Sequence, residues 1–219
     1  MIPQEEYVAE RQRMVEEQLI NGPHEPAIRD PFVLRAMRAV PRHAFVPADV
    51  RPLAYSDQAL PIGAGQTISQ PYIVALTLSL AKVRPGHRVL EVGTGCGYEA
   101  AVLAAMTDQA YSVEIVEELA ERARRTLGEI GARVHLRVGD GYRGWPEIAP
   151  FDAIIVSAAA PAVPAPLIEQ LEEDGMLVIP LGQEIQELSV FQKTGNGLSR
   201  RGAYPVRFVP MTGRIQQSG

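Results

Sequence analysis

Residues 88–104, RVLEVGTGCGYEAAVLA, carry the strongest structural signal in the chain. A short apolar run is followed by a glycine-rich turn and then by residues that favour a helix, which predicts a strand, a turn and a helix in succession. Gly93, Gly95 and Gly97 follow the pattern G-x-G-x-G, whereas the dinucleotide-binding fingerprint G-x-G-x-x-G needs glycine where Tyr98 stands. Glycines at this point let a ligand approach the end of the first strand of an α/β sheet. The alternative is a tight turn that binds no ligand, and other parts of the sequence help to decide between these two interpretations.

The alternation of strand and helix patterns continues on the carboxyl side of this stretch. Short apolar runs, namely RVLEV, AYSVEIV, RVHLRV, FDAIIV and MLVIPLG, are separated by longer amphipathic runs such as YEAAVLAAM, EELAERARRTLGEIG and PAPLIEQLEEDG. Strands that alternate with helices predict an α/β fold with a doubly wound, mostly parallel sheet of the Rossmann-like kind. Residues 187–211 have no helical period and carry turn residues at 195–197, which predicts an antiparallel hairpin at one edge of the sheet.

Helices are predicted on the amino side of the stretch. Apolar residues at helical spacing mark residues 5–20, and Asp30 followed by Pro31 is a typical start for a helix over FVLRAMRAV. Residues 41–62 are rich in proline and predict loops and short turns.

A run of small and polar residues precedes the next predicted helix. Residues 63–71, GAGQTISQP, predict a shaped loop, because glycines let the backbone lie close to another molecule and Pro71 fits the first turn of a helix that extends to Val83. The whole chain is predicted to be a single domain, which consists of an N-terminal part (1–83), an α/β core (84–182) and a C-terminal hairpin with a tail (183–219).

Composition limits the classes of protein to consider. With 219 residues, 46% of them hydrophobic and 21% charged, the chain is long enough for one domain with a full core. The net charge of −5 argues against a nucleic-acid partner, and no apolar run approaches the ~20 residues that span a bilayer. Cys96 is the only cysteine and the acidic N-terminus is unlike a secretory signal, so we expect a cytoplasmic protein with no membrane partner. The histidines are scattered and no metal-ligand motif occurs, so we expect no metal; we also expect a monomer.

Acidic residues stand at or near the ends of three successive predicted strands. Glu91 ends RVLE, Glu114 ends AYSVE, and Asp140 follows RVHLRVG. Glu114 lies about 20 residues beyond the glycine turn, where an acid commonly accepts hydrogen bonds from a ribose. Asp140 could accept a hydrogen bond from an exocyclic amine, and Glu91 could pair with a positively charged group. NAD carries a pyrophosphate, which binds best in cationic surroundings. S-adenosylmethionine carries adenosine, an ammonium and a sulfonium but no phosphate. The three acidic residues therefore indicate S-adenosylmethionine rather than NAD.

The glycine motif, in the form E-x-G-x-G-x-G, resembles that of the S-adenosylmethionine-dependent methyltransferases. Further segments narrow the resemblance to the protein-L-isoaspartate O-methyltransferase family, and ALPIG-x-GQTISQP is the most specific of them. The segments follow one another along nearly the whole chain: VPRHAFVP (40–47), ALPIGAGQTISQPYIVA (59–75), VLEVGTGCGY (89–98), GDGYRGWPEIAPFDAIIVSAAAP (139–161) and VRFVPM (206–211).

The resemblance implies methyl transfer from S-adenosylmethionine to the free α-carboxylate of L-isoaspartyl residues in damaged proteins and peptides, with S-adenosylhomocysteine as the product. It implies Ser69 as the catalytic residue, in a loop whose Gln66, Thr67 and Ile68 bind the substrate. A hydroxyl that orients a carboxylate suits this chemistry better than a serine nucleophile, because no histidine and aspartate stand in a recognisable frame with it. The alternative is that Ser69 only caps the helix that starts near Pro71.

The resemblance also implies residues around the donor. An edge strand over VRFVPM would end in a turn that returns to the active site, with Val209 as a substrate-binding residue, although plain core packing is the alternative. The implied cofactor-binding residues are Glu91, Gly93, Thr94, Gly95, Glu114, Asp140 and Gly141.

Three positions depart from the family pattern, and three other functions stay open. Cys96 stands where the family commonly has serine, Glu99 replaces a commoner glutamine, and Ser157 replaces a commoner threonine. The first alternative is a related carboxyl methyltransferase that acts on a dedicated peptide or a small molecule. The second is a non-catalytic module that binds a nucleoside, and the third, an NAD-dependent oxidoreductase, is least favoured because Tyr98 breaks the fingerprint.

Overall fold

A large β-sheet forms the centre of the fold. The computed structural model describes residues 7–217, and its strands are β1 (Leu60–Gly63), β2 (Gln66–Ile68), β3 (Arg88–Val92), β4 (Gln109–Glu114), β5 (His135–Val138), β6 (Phe151–Val156), β7 (Leu171–Gly182), β8 (Gln186–Thr194) and β9 (Gly197–Val206). Within these described residues, seven strands pair in the order β5-β4-β3-β6-β7-β8-β9. Strands β3 to β7 are parallel, whereas β8 and β9 are antiparallel additions at one edge. The predicted α/β fold with a mostly parallel sheet and a C-terminal hairpin is confirmed.

Apolar side chains alternate between the two faces of the sheet, so its central strands read as continuous apolar runs in the sequence. Val89 of β3 and Ile155 of β6 join a core cluster with the N-terminal helices, whereas Leu90 and Ile154 join a second cluster on the opposite face. A parallel sheet needs this cover on both faces. Glu91 shares the face of Val89, because side chains two positions apart along a strand point the same way.

Helices cover both faces of the sheet and the N-terminal side of the fold. Residues 5 and 6 of the first predicted helix lie outside the described residues. The Asp30 carboxylate accepts the Phe32 N–H at 2.9 Å, so the predicted cap of the second helix is confirmed. The helices are α1 (Val8–Arg13), which continues as a π-helical segment (Met14–Ile20), α2 (Pro31–Ala39), α3 (Pro71–Leu80), α4 (Tyr98–Ala104), α5 (Glu117–Glu129) and α6 (Ala165–Glu169).

The predicted loop before α3 is instead a small β-hairpin. Leu60 pairs with Ile68, and Pro61 pairs with Thr67, across the antiparallel strands β1 and β2. Ala64 adopts φ 51° and the following glycine φ 70°, which are the left-handed conformations that a two-residue hairpin turn needs. The prediction failed here because alanine is an unusual residue for such a turn, so the pattern lacked the usual Asn-Gly or Asp-Gly signal.

The predicted helix over PAPLIEQLEEDG, residues 164–175, is wrong beyond Glu169. Leu171 already pairs with Phe151 of β6, and the pairing resumes between Met176 and Ala153 after a register shift. Hydrogen bonding to the neighbouring strand outweighs the local helical preference of these residues. Strand β7 is consequently longer than the predicted MLVIPLG.

The predicted edge strand over VRFVPM, residues 206–211, is also wrong except at Val206, where β9 ends. Strand β8 begins at Gln186 and leaves no partner backbone beyond that point, so the Gln186 side chain bonds the Phe208 N–H and C=O instead. The chain then returns over the sheet, where the Ala159 N–H donates to the Val209 carbonyl at 2.8 Å. The predicted return toward the site is therefore present without the strand.

Candidate active site

A cavity lies where the carboxyl ends of β3, β4 and β6 meet, which is the usual ligand position in an open α/β sheet. The β1–β2 hairpin and the segment that returns after β9 complete its wall. The structure brings together every predicted site residue except Asp140, so the wall contains Gln66, Thr67, Ile68, Ser69, Glu91, Gly93, Thr94, Gly95, Glu114, Gly141 and Val209.

The glycine turn is fixed to the neighbouring strand by Glu114. One carboxylate oxygen of Glu114 accepts the Gly95 N–H at 2.7 Å, and the other accepts the Val116 N–H at 2.9 Å. Gly95 adopts φ 54°, a left-handed conformation that is unfavourable for residues other than glycine. Each carboxylate oxygen has a second lone pair, so Glu114 holds the turn and can still accept from a ligand hydroxyl.

Asp140 has a different position from the other predicted site residues. Its carboxylate accepts the Tyr142 N–H at 3.0 Å and the Arg214 N–H at 2.9 Å. A side chain at Gly213 would begin 2.7 Å from Asp140 Oδ1, so the C-terminal segment passes directly over the carboxylate. Asp140 thus positions backbone beside the cavity, and its contact with an adenine remains a prediction.

Glu91 is fully buried at the end of a hydrogen-bonded chain. Thr94 Oγ1 lies 2.5 Å from Ser112 Oγ, and the Ser112 hydroxyl donates to Glu91 Oε2 at 2.5 Å. Ser112 has a single hydroxyl proton, so it accepts from Thr94 when it donates to Glu91. Burial, followed by the charge of Glu99, raises the pKa of Glu91 well above its ordinary value. Glu91 Oε1 has no hydrogen-bond partner within residues 7–217.

Glu99, in the first turn of α4, is a wall residue that the sequence analysis did not place in the site. The residue is 8% exposed, and its Oε2 accepts a hydrogen bond from Ser157 Oγ at 2.8 Å. Burial raises the pKa of Glu99 to about 7, although the bond from Ser157 acts in the opposite direction. Its Oε1 also lacks a partner in the described part of the chain. Glu91 and Glu99 are called the acid pair below.

The cavity is lined by acidic side chains. Its wall contains the acid pair and Glu114, and the described residues that form it include no lysine, arginine or histidine. Departures at positions 99 and 157 were visible in the sequence, but their mutual contact was hidden because 58 residues separate them. A cationic ligand group suits this wall, and a phosphate does not.

Cys96 lies in the glycine turn and is buried. Burial, as the largest cause, raises the pKa of its thiol to about 11, so the sulfur is a neutral thiol at neutral pH. A nucleophilic role, which the sequence analysis also did not assign, has no support here.

Ser69 lies between β2 and α3 with a half-buried side chain. The residue that caps α3 is Gln70, and no side chain makes a capping hydrogen bond there, so the capping alternative for Ser69 is wrong. Among residues 7–217, no partner occupies the Ser69 hydroxyl. The hydroxyl is therefore available to a ligand in the cavity.

The hairpin that carries Ser69 is held on both sides. Ile62 of β1 is fully buried and would contact a side chain at Gly95 at 3.4 Å, so the hairpin packs directly on the glycine turn. The Arg122 side chain of α5 donates to the Ile62 carbonyl. Packing and this bond hold the hairpin that places Ser69 in the cavity wall.

A second support reaches the helix that follows Ser69. His24 Nε2 lies 2.5 Å from Asp57 Oδ2. The imidazole also stacks on Tyr72 with ring centroids 4.4 Å apart. His24 was one of the histidines without an assigned role in the sequence, and it ties the start of α3 to two distant segments.

Within residues 7–217, no group of three or more histidine, cysteine, aspartate or glutamate side chains is arranged to hold a metal ion. Over the same range, no helix combines the length and the apolar character that crossing a membrane requires.

The chain is similar to a protein family over almost its full length. The family model described as Protein-L-isoaspartate(D-aspartate) O-methyltransferase matches residues 11–216. A protein-L-isoaspartate O-methyltransferase of Opitutus terrae is 57% identical over 206 residues, which cover 93% of this chain and 87% of the relative. A Synechococcus relative of the same name is 51% identical over 214 residues, which cover 94% of this chain and 86% of the relative.

Solved structures give the same result. A protein-L-isoaspartate O-methyltransferase superposes with a TM-score of 0.83 at 27% identity, over 95% of this chain and 67% of that one. A Plasmodium falciparum protein of the same family name, solved in complex with S-adenosyl-L-homocysteine, has a TM-score of 0.79 at 25% identity, over 92% of this chain and 98% of its own. The chain therefore belongs to the protein-L-isoaspartate(D-aspartate) O-methyltransferase family.

Proposed function

We propose that the protein is a repair enzyme that transfers a methyl group from S-adenosylmethionine to the free α-carboxylate of L-isoaspartyl residues, with Ser69 as the residue that orients that carboxylate. One observation carries the assignment of roles. An acid-lined region without cations and an unoccupied serine hydroxyl belong to the wall of one cavity. The first suits a cationic donor, and the second suits an anionic acceptor.

The polar groups of the cavity wall fit S-adenosylmethionine. The acidic residues of the acid pair suit a ligand that carries ammonium and sulfonium charges, and Glu114 retains lone pairs for a ribose hydroxyl. When bound, the donor supplies a methyl group on a positively charged sulfur. The backbone of the glycine turn, at Gly93, Thr94 and Gly95, would hold the methyl donor close to the end of β3.

The acceptor needs placement more than activation. A carboxylate is already ionised at neutral pH, so the site requires no strong general base. The Ser69 hydroxyl can donate to one carboxylate oxygen without adding a charge that would weaken the other as a nucleophile. Gln66, Thr67 and Ile68 would hold the neighbouring peptide, and Val209 is also part of the cavity wall. Because the reaction turns an anion and a cation into two neutral groups, a site that keeps water away from the reacting groups favours it.

An isomer pair of peptides provides the decisive test of this function. We expect methyl transfer from labelled S-adenosylmethionine to a peptide that contains L-isoaspartate, and roughly 100-fold less transfer to the same peptide with ordinary L-aspartate. The reason is that ordinary aspartate continues the chain through its α-carboxyl group, so its free carboxylate is on the side chain and is displaced from the position that the Ser69 hydroxyl would orient. Label counted in base-labile methyl esters measures the reaction. Equal labelling of both peptides, or of neither, would point instead to a dedicated peptide or a small-molecule acceptor.

Substitution of Gly141 tests the cofactor region. A methyl group at this position would lie 2.3 Å from Val92 Cγ1, and Val92 is itself part of the cavity wall. We expect Gly141→Ala to lower the free energy of unfolding by about 2 kcal/mol and to weaken S-adenosylmethionine binding roughly tenfold, because Val92 must move. Calorimetric titration and urea unfolding measure the two effects.

Gly128 provides the matched control for this substitution. It lies in α5 with no atom within 4 Å of an added methyl group, so Gly128→Ala should raise the stability by about 0.5–1 kcal/mol and leave binding unchanged. Unchanged donor affinity in Gly141→Ala would remove Gly141 from the cofactor site.

We also propose that the enzyme acts as a cytoplasmic monomer without nucleic-acid or membrane partners. The net charge of −5 and the single cysteine support this proposal. Light scattering coupled to size-exclusion chromatography should give the mass of one chain, and a mass of two or more chains would refute the monomer.

A further inference from the structure

One imidazole lies beside both ends of the segment that carries Ser69. Residues 58–71, called the acceptor segment below, comprise β1, the hairpin turn, β2 and Ser69, and end at the first residue of α3. Asp57 stands immediately before this segment and Tyr72 immediately after it. The Nε2 atom of His24 lies 2.5 Å from Asp57 Oδ2, and the His24 ring stacks on Tyr72 with the ring centroids 4.4 Å apart. His24 therefore closes the base of the acceptor segment.

The surroundings of His24 hold its side chain in place. Tyr72 is buried, and its hydroxyl donates to the Pro26 carbonyl at 3.1 Å, which fixes the turn that carries His24 to the start of α3. The Nε2–H group of His24 donates to the Asp57 carboxylate in the imidazolium form and in one neutral tautomer alike, so the contact does not depend on the charge of the ring. The stack and the hydrogen bond together give the ring a defined position.

The acceptor segment needs support at its base. Its two strands have four and three residues, and a two-stranded hairpin is at best marginally stable by itself. The packing of Ile62 and the bond from Arg122 hold β1, whereas Ser69 lies beyond the end of β2. Methyl transfer requires one carboxylate oxygen in line with the methyl group, and a misplacement of about 1 Å can cost about 100-fold in rate. Contacts at both ends of the acceptor segment limit how far Ser69 can move.

We propose that His24 is a positioning residue for methyl transfer, which keeps the Ser69 hydroxyl in line with the acceptor carboxylate by holding the two ends of the acceptor segment. This inference rests on the proposed function, because it takes Ser69 as the residue that orients that carboxylate. His24 acts through the acceptor segment and needs no contact with the peptide or the methyl donor. Loss of its hydrogen bond should therefore slow methyl transfer and leave the affinity for S-adenosylmethionine unchanged, because the glycine turn and Glu114 belong to other segments of the cavity wall.

A double-mutant cycle between His24 and Ser69 tests the proposal. His24→Phe keeps a ring that can stack on Tyr72 but loses the N–H donor, and we expect it to lower the turnover number on an isoaspartyl peptide about tenfold. The same substitution in a Ser69→Ala background should lower the turnover number less than about twofold, because the hydroxyl that His24 positions is then absent. Steady-state kinetics of the four proteins measures this coupling. Calorimetric titration should give Kd values for S-adenosylmethionine that agree within about twofold in wild type and His24→Phe.

Substitutions of Asp57 test the hydrogen bond from its other side. Asp57→Asn retains an oxygen that accepts the His24 N–H and should keep at least about half of the turnover number, whereas Asp57→Ala should match His24→Phe. The side chains of His24 and Asp57 are 31% and 25% exposed, so these substitutions leave no cavity in the core and the variants should fold. Urea unfolding of each variant verifies this.

His135 provides the matched control for His24. Its ring also stacks on a tyrosine, Tyr111, with centroids 4.7 Å apart, but His135 is exposed on β5 and lies outside both the cavity wall and the acceptor segment. His135→Phe should therefore leave the turnover number and the donor affinity unchanged.

The outcomes of the cycle separate this inference from the proposed function. Equal losses from His24→Phe with and without the Ser69 hydroxyl, or no loss in either background, would overturn the inference while the proposed function stands. A normal turnover number in Ser69→Ala would overturn it as well, because His24 would then have no hydroxyl to position. A wild-type protein that transfers no methyl group to the isoaspartyl peptide would refute the proposed function, and this inference with it.

Discussion

Ser69→Ala should lower the turnover number about 100-fold on an isoaspartyl peptide while it changes the affinity for S-adenosylmethionine less than about threefold. The substitution removes one hydroxyl that no residue of the described chain engages, so the hairpin and α3 lose no internal bond. The variant loses the hydroxyl hydrogen bond that holds the acceptor carboxylate in line with the methyl group. Steady-state kinetics with the peptide, together with calorimetric titration of the donor, separates the two quantities.

Ser199→Ala is the matched control for this variant. Ser199 is half-buried in β9 and lies outside the cavity wall, so its removal should leave both the turnover number and the donor affinity unchanged. A loss of donor affinity in Ser69→Ala with a normal turnover number would move Ser69 from the acceptor side of the cavity to the donor side.

Glu99→Gln should remove much of the pH dependence of stability. The pKa of Glu99 is about 7 in the folded protein, against an ordinary value of 4.5, and burial is its main cause. The folded state therefore binds this proton more tightly than the unfolded state, so the free energy of unfolding falls as the pH rises from about 4.5 to about 7. The loss amounts to about 3 kcal/mol in the wild type. Glutamine has no charge to bury.

Urea unfolding at pH 5 and pH 8 measures this effect. Glu99→Gln should be more stable than the wild type at pH 8 by up to about 3 kcal/mol, and the difference should fall to about 1 kcal/mol or less at pH 5. Glu129→Gln, which changes an exposed carboxylate in α5, should alter the stability by less than about 0.5 kcal/mol at both pH values. Parallel pH profiles for Glu99→Gln and wild type would show that Glu99 is ionised equally in the folded and unfolded states.

Features that depend on local pattern were predicted well. The strand, glycine turn and helix of residues 88–104 form as expected, and so does the cap that Asp30 provides. The alternation of apolar and amphipathic runs was enough for the order of strands and helices in the core, because strand and helix periods are properties of short segments. The antiparallel hairpin at the edge was predicted from its turn residues in the same way.

Features that depend on a neighbouring strand were predicted less well. Residues 171–175 have the composition of a helix, yet they pair with β6. The edge strand expected over residues 206–211, before its returning turn, ends at Val206 for want of a partner. The β1–β2 hairpin was missed because Ala64 adopts a conformation that its residue type disfavours. In each case a contact distant in sequence outweighs a local preference.

The residues of the candidate site also divide into those predictable from local sequence and those that depend on distant contacts. Ser69, Glu114 and the glycine turn were identifiable from motifs, since motif residues are adjacent in sequence or lie at regular spacing after a strand. The acid pair, its two serine partners and the support from His24 appear only in the folded chain. Their roles depend on burial, which raises the pKa of a carboxyl group and leaves oxygens without partners. Burial is a property of the packed chain, because every wall of the cavity comes from a different part of the sequence.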